Sequence, residues 1–453
     1  MEREKRLTQP LTVGMPRRGV RREKPAGSAK PARQRFVQRD QVECLAQGGQ
    51  PERSGEFPPY QKSSQPISSR VRMSKDLTVV GCGFAAKYPE GGGNFSVPLQ
   101  YLLGLRRMRR PALWLEIMQS TGDPRRDGLI ADTFRRRLRE FDLDSHYCLI
   151  IFPGSPATQD LTGTRFFGMT RRKFLDLVAG PSVLLNLSYS IRNPLLGLFR
   201  QRKLCSLDPT EVCFWMQRME MGQSEHHEFW SIGLNIYGPG SRVPATGVRW
   251  KTYFPLVDTT LFEAAPRPPE DRFTTIGQWY WDGCIEWDSE WRDFSKKAAF
   301  EKFKNLPSLH PGARFELAMN LADDDPERKR IEDLGWHHIV PHTIARTPRL
   351  YYQYLRRSTA EFTAIKLESF AMSGWLSDRS AVYLALGRPV ITEPTGADPF
   401  LPEQSGMFFV RSLEEASEAV RKVRSDWKAL SKAARSCAAE CFDAVVNLRK
   451  MLG

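Results

Sequence analysis

The sequence has no apolar run long enough to cross a bilayer. Its longest candidate, Pro181–Phe199, is broken by Arg192, Asn193 and Pro194, whereas a spanning helix needs about 20 apolar residues in succession. It has no cysteine pair at zinc-ribbon or redox spacing: the eight cysteines stand at 44, 82, 148, 205, 213, 284, 437 and 441. Only Cys437 and Cys441 share a helix face, and packing of small apolar thiols accounts for them. There is no secretory leader and there are no short internal repeats. Scattered thiols with no leader give the expectation of a cytoplasmic protein. Basic residues are not interleaved with aromatics as in single-strand RNA binders, so no nucleic acid is an expected partner.

What is present is a chain of 453 residues, long enough for two domains with their own cores. The net charge of +15 is uneven: residues 1–73 hold sixteen Lys and Arg against seven Asp and Glu, leaving only +6 for the rest. That first stretch is rich in Arg, Gln, Ser, Pro and Gly and poor in large apolar residues, which predicts a disordered basic tail. Two readings stand for it: a peripheral membrane contact through basic residues, or a translation start at Met73, just before the first strand. The mildly basic remainder suits anionic small-molecule substrates.

Leu77–Val80 predicts the first strand, followed by Gly81-Cys82-Gly83-Phe84-Ala85-Ala86, a G-x-G-x-x-A. A dinucleotide site needs a helix to begin at the second glycine. Pro89 and Gly91-Gly92-Gly93 intervene, so NAD is discounted and the helix is expected to begin at about Ser96–Pro98. Gly91, Gly92, Gly93 and Asn94 then read as a flexible loop over a helix N-terminus. Strands are expected at Leu113–Leu115, Cys148–Phe152, Phe174–Val178, Val183–Leu187 and Leu204–Leu207, with an exposed basic helix turn at Phe134–Phe141. Three prolines between Glu263 and Asp271 mark a linker. Strand and helix alternate again after it. Asp323-Asp324-Asp325 invites a metal-binding reading, but Asp325-Pro326-Glu327 is a helix start, with cap, proline and acidic first turn, so no metal is expected.

The chain is organised around Ser358–Phe409. Ala360–Thr363 predicts a strand. Ser377 or Asp378 caps a small-residue helix that Gly387 ends, and Val390-Ile391 opens a buried strand whose carboxyl end carries Thr395-Gly396. A helix N-terminus suits an anion. Arg379 adds a planar, permanent charge beside it, and Lys366 a second.

This segment resembles the donor site of GT-B glycosyltransferases, and more closely that of a set of bacterial glycosyltransferase-like proteins. Their pattern is A-E-F, then K, then S-G-W-x-S-D-R-S-A-x-Y-L-A-x-G-R-P-V, then T-G, then L-P-x-x-x-G. The chain supplies Glu361, Lys366, the run Ser373–Val390, Thr395-Gly396, Leu401-Pro402 and Gly406. Similar segments occur at the G-G-G-N-F of the glycine loop, at Asp208-Pro209, at His226–Ile236 and at Thr275–Trp279. The match covers roughly residues 77–425 and is thin between 155 and 200. One departure concerns the two glutamates that many retaining members carry eight positions apart: here Glu361 and Glu368 are seven apart.

The resemblance implies an α/β, GT-B chain of two facing Rossmann-like domains with parallel sheets. The tail occupies 1–73, the acceptor-side domain 74–262, the linker 263–271 and the nucleotide-sugar domain 272–453, with a closing helix Trp427–Met451 that crosses back to the first domain. It implies a hexosyltransferase-like enzyme that uses a nucleoside-diphosphate sugar as substrate, without cofactor or metal, on an unspecified acceptor. Donor contacts fall to Glu361, Lys366, Ser377, Asp378, Arg379, Ser380, Thr395 and Gly396, with the Gly91–Asn94 loop closing from across the cleft. Asp208 with His226 or His227 is the candidate acid/base group, since a carboxylate beside an imidazole sets a base near neutral pH. The alternative is a GT-B-shaped binding or scaffold protein without transfer activity.

Overall fold

The computed structural model describes residues 76–280 and 284–453. The expected tail, its membrane contact and the start at Met73 lie outside the described residues.

The first half runs β1 (Leu77–Cys82), α1 (Gly92–Arg107), β2 (Ala112–Gln119), α2 (Pro124–Arg139), β3 (Tyr147–Phe152), β4 (Arg165–Phe167), α3 (Arg171–Ala179), β5 (Ser182–Leu187), β6 (Gln201–Ser206), α4 (Pro209–Met216), β7 (Glu228–Ser231) and β8 (Trp250–Thr252). The second runs β9 (Arg272–Gly277), β10 (Cys284–Trp287), β11 (Glu290–Asp293), α5 (Lys296–Phe300), β12 (Arg314–Met319), α6 (Pro326–Asp333), β13 (His337–Ile339), α7 (Pro341–Ala345), α8 (Pro348–Arg356), β14 (Ala360–Thr363), α9 (Leu367–Ala371), α10 (Asp378–Ala385), β15 (Val390–Thr392), β16 (Met407–Phe409), α11 (Leu413–Cys437) and α12 (Ala444–Leu452).

Strands such as Tyr147–Phe152 and Ser182–Leu187 are buried along their whole length. Continuous burial without alternation is the mark of parallel strands covered on both faces. They form an eight-stranded sheet in the order β4-β3-β2-β1-β5-β6-β7-β8, parallel except for β4. The second sheet has the order β13-β12-β9-β14-β15-β16 and is parallel throughout. Chain order reverses beside β1 in the first sheet and beside β9 in the second, and open α/β sheets bind ligands outside such points.

Several elements differ from expectation. Phe174–Val178 is helical: Thr170 caps α3 by accepting from Lys173 N at 3.2 Å. The basic turn expected at Phe134–Phe141 is the end of a longer helix that stops at Arg139; Arg135, Arg136 and Arg139 are exposed as expected, while Phe134 and Arg137 are buried. The helix assigned to Ser96–Pro98 begins at Gly92, with Pro98 inside it. The Asp325 cap is present, its carboxylate accepting from Glu327 N at 3.0 Å. The hairpin β10–β11 has no counterpart in the sequence reading.

The last helix returns to the first half. Phe254 N donates to Asn447 Oδ1 at 3.0 Å, Lys203 Nζ donates to Met451 O at 2.6 Å, and Gly104 lets α1 approach Ala444 and Leu448. Arg107 ties Asp258 and Asp443 together at 3.0 and 2.7 Å. The expected single closing helix is instead interrupted by a π turn at Ala438–Phe442. Among the described residues no helix is long and apolar enough to cross a membrane.

Candidate functional site

The second sheet's switch point lies between β9 and β14, and two cations converge on it. Arg379 is the second residue of α10. Ser377 caps that helix by accepting from Arg379 N at 3.2 Å, which sets the side chain back toward the strand ends. Arg379 Nε donates to Glu361 Oε1 at 2.6 Å, Nη1 to Ile276 O at 2.8 Å and Nη2 to Thr363 Oγ1 at 3.2 Å. Three of the five N–H groups of a guanidinium are thereby engaged. Burial alone would lower the pKa of Arg379, but Glu361 holds it above the ordinary value.

Lys296 opens α5, whose cap Ser295 accepts from Ala298 N at 3.2 Å. Its Nζ donates to Thr363 Oγ1 at 2.8 Å and to Ala364 O. Burial, then the neighbouring charges of Arg379 and Lys366, push its pKa well below the lysine range. Such a group gains from an anion placed beside it. Lys366 stands on the turn after β14. Glu393 fixes that turn by accepting from Ile365 N at 2.6 Å while pairing with Lys302 at 2.5 Å.

The facing wall comes from the first half. Asp208 follows β6, at the carboxyl end of the first sheet, and stands at the cap position of α4 without a side-chain cap bond. It keeps solvent access although the protein encloses it. Burial raises its pKa, and Lys366 opposes the rise. Glu211 is pushed up to about 7 by burial and then by Asp208 and Glu368. Asp378 is pushed up to about 7 by burial and then by Asp208. Glu368 reaches about 7 through burial, against hydrogen bonds from Ser373 and Thr210. Thr210 donates to Glu368 from both N, at 3.1 Å, and Oγ1, which pins α4 to α9 across the two halves.

The structure therefore brings together Asp208, Glu361, Lys366, Asp378 and Arg379, with Ser377 and Ser380 in the first turn or cap of α10 behind them. Other expected site residues stand elsewhere. His226 is buried, with Nδ1 on Gly222 O at 2.8 Å and Nε2 on Asn186 Nδ2 at 3.0 Å. Both ring nitrogens are thus satisfied by protein, and burial lowers its pKa. His227 is exposed and accepts from Arg202 N at 3.1 Å. Neither imidazole partners Asp208; that role falls to Lys366. Thr395 and Gly396 are not an open lining. Thr395 Oγ1 donates to Trp375 O at 2.7 Å, Gly374 N donates to Thr395 O at 2.6 Å, and Gly396, at φ +84°, packs against Asn235. They form the seam where Asn235 Nδ2 also donates to Met372 O at 2.9 Å.

Gly91, Gly92, Gly93 and Asn94 are not a flexible loop. Gly91 is the cap position of α1 and the other three form its first turn. That turn docks on the second half, and a Cβ on Gly92 would stand 2.5 Å from Ala345 O. Pro98 falls in the second turn of α1, where it takes away the backbone donor that would bond to Asn94 O. Two contributors escaped the sequence reading, Lys296 and Glu211. Ser295 directly before Lys296, and Glu211 in the first turn after Asp208-Pro209, were the local signals available.

No sequence-family profile matches the chain, and no curated protein matches it. Solved structures do. One is an alpha-glucosyltransferase in complex with UDP-glucose and DNA containing an abasic site: the TM-score is 0.52 and identity 10%, over 83% of this chain and 97% of that one. Another is an alpha-glucosyltransferase in complex with UDP and a 13-mer DNA containing a HMU base, with TM-score 0.53 and identity 9%, over 83% of this chain and 98% of that one. With two open sheets, parallel but for β4, each reversing its chain order once, and with these structural neighbours, this chain has the GT-B glycosyltransferase fold.

Proposed function

We propose that the cleft between the sheets transfers a sugar from a nucleoside-diphosphate donor to an acceptor hydroxyl. The observation that carries this is the convergence of Arg379, Lys296 and Lys366 at the second sheet's switch point, opposite Asp208. Fixed cations in an enclosed site stabilise the charge that develops on a departing diphosphate and need little reorganisation to do so. The N–H groups at the start of α10 add to that field. These protein cations serve in the place of a divalent metal, so the proposed transfer is metal-independent and hexosyltransferase-like. Asp208, with its raised pKa and solvent access, takes the acceptor proton as general base.

The solved neighbours bound UDP or UDP-glucose, which supports a uridine donor as the first to try. Thermal unfolding with UDP, GDP, dTDP, CDP and NAD tests the reading. A nucleotide at a hundred times its Kd adds about 2.7 kcal/mol of stability. A shift with one nucleoside diphosphate, reduced in Lys366→Met, supports it; silence with every diphosphate overturns it.

A second reading, a binding protein without transfer activity, is favoured by the engagement of Glu361 with Arg379 and the burial of Thr395 and Gly396 in the seam. Donor hydrolysis or transfer by the purified chain separates the two.

A further inference from the structure

A second cleft of about 390 Å³ lies at the opposite, amino-terminal end of the first sheet. Its walls are Leu77, Leu102, Leu113, Leu143, Met169 and Leu177, and its rim carries Arg106, Arg109, Arg110, His146 and Lys173. Among the described residues no carboxylate lines it. Of the acids close by in the chain, Asp144 lies 3.1 Å from Arg139, Asp176 is 3.8 Å from Arg172 and Asp76 acts on Arg110, while Asp142, next to Leu143, is exposed outside the lining. Leu177 stands 40% exposed on the outer face of α3, with Lys173 one helical turn before it.

Apolar floor and cationic rim together fit an amphiphilic anion. We propose that this face docks on a bilayer of anionic phospholipid, with the rim on headgroup phosphates and Leu177 entering the acyl boundary. Duplex or single-stranded nucleic acid fits less well. Single strands would call for stacking surfaces, and among the described residues His146 is the only aromatic ring lining the cleft; a duplex would leave the apolar walls uncovered. A protein partner would have to match the four cations Arg106, Arg109, Arg110 and Lys173 with acids and the leucine walls with apolar side chains in one small patch, which a phospholipid does in one molecule. The chain before the cleft agrees with the proposal on sequence grounds. Residues 1–73 carry sixteen Lys and Arg against seven Asp and Glu, and the described chain begins at Asp76, beside Leu77 in the cleft wall. Basic residues near an anionic membrane surface act together. With the sheets' carboxyl ends facing the opposite way, the proposed transfer site would stay open to solvent while the protein is docked.

The test is co-sedimentation of the full chain with vesicles of phosphatidylcholine alone and of phosphatidylcholine with phosphatidylglycerol. The variants are Arg109→Glu/Lys173→Glu and Leu177→Ser, all at exposed positions that leave the core intact. Binding to the anionic vesicles only is expected. The double charge reversal should lower the partition coefficient roughly tenfold or more, since each basic residue near such a surface contributes to binding. Leu177→Ser should lower it at high salt, where headgroup attraction is screened. Binding that is unchanged in both variants would mean that residues 1–73 act alone and would overturn the proposal. So would absence of vesicle binding, or tighter binding of duplex DNA that the same charge reversal abolishes.

Discussion

Arg379 donates from Nε to Glu361 Oε1 at 2.6 Å, and the other oxygen of that carboxylate, Oε2, has no hydrogen-bond partner among the described residues. The pair is interior: the side chains are 15% and 0% exposed. Removing one member of a buried pair strands the other charge and costs about 3–5 kcal/mol. Arg379→Ala is therefore expected to lose stability of that order in urea unfolding, and to lose nucleotide affinity as well. Arg379→Met with Glu361→Met should recover most of the stability and none of the affinity. If the single variant unfolds at the wild-type midpoint, the pair does not hold the switch point together.

Asp208 has solvent access and no cap duty, and burial raises its pKa against Lys366. A general base so placed contributes about 10²–10⁴ to the rate. Asp208→Asn is expected to lower kcat by that factor with donor affinity unchanged. The acid limb of the pH–rate profile should disappear with it. His226→Ala should instead unfold more easily while keeping that limb, because its ring nitrogens serve Asn186 and Gly222. Retention of the acid limb in Asp208→Asn would move the base to Glu211.

The elements that carry this argument differ in how far the sequence revealed them. Around α10 every signal was local: Ser377 to cap, Gly387 at φ +71° to end, Pro389 to prevent continuation, Val390-Ile391 to begin a strand. Short-range backbone chemistry decides such features, so a reader of the sequence can place them. The start of α1 was decided elsewhere. Three glycines are poor helix formers, and they are helical because Gly92 lies against Ala345 and Thr347, more than 250 residues away in sequence. Nothing local distinguishes Lys296 from its neighbour Lys297; its contacts with Thr363 and Ala364, at and after the end of β14, make it interior. The two histidines misled because an imidazole paired with a carboxylate such as Asp208 reads as chemistry, whereas the packing around Gly222 turns His226 inward.

Four buried carboxyls, Glu116, Glu211, Glu368 and Asp378, are each pushed to about 7, burial being the largest cause in every case. In the unfolded chain they titrate near about 4. Between those values the folded protein holds protons that the unfolded chain has released, so stability falls as pH rises through that window. The contribution is complete below it. Glu228 acts in the opposite sense: burial works against it, but Lys251 and Lys203 hold it down to about 2. Its stabilisation is lost as pH falls toward that value. Maximal stability is expected on the acid side of neutrality. Glu368→Gln, which keeps an acceptor for Thr210, should flatten the slope between about pH 4 and 7 by up to about 1.4 kcal/mol per pH unit. Equal slopes in wild type and variant would show that Glu368 titrates normally.

Gly92 decides whether the two halves can meet. A methyl group there would stand 2.5 Å from Ala345 O, with Thr347 O also in the way, and both obstacles are backbone that cannot rotate aside. Within α1 alone the same change is favourable, since alanine exceeds glycine in helix propensity by about 1 kcal/mol. The two effects separate by experiment. Gly92→Ala should keep the content of helix and strand, widen the molecule in small-angle X-ray scattering and raise KM for the donor, because the first turn of α1 can no longer seat against α7 and α8. Glu140, which accepts from Arg349 at 3.2 Å across the same boundary, should then lose its partner. A variant that simply melts higher, with an unchanged scattering profile, would show that the contact between Gly92 and the second half does not form in solution.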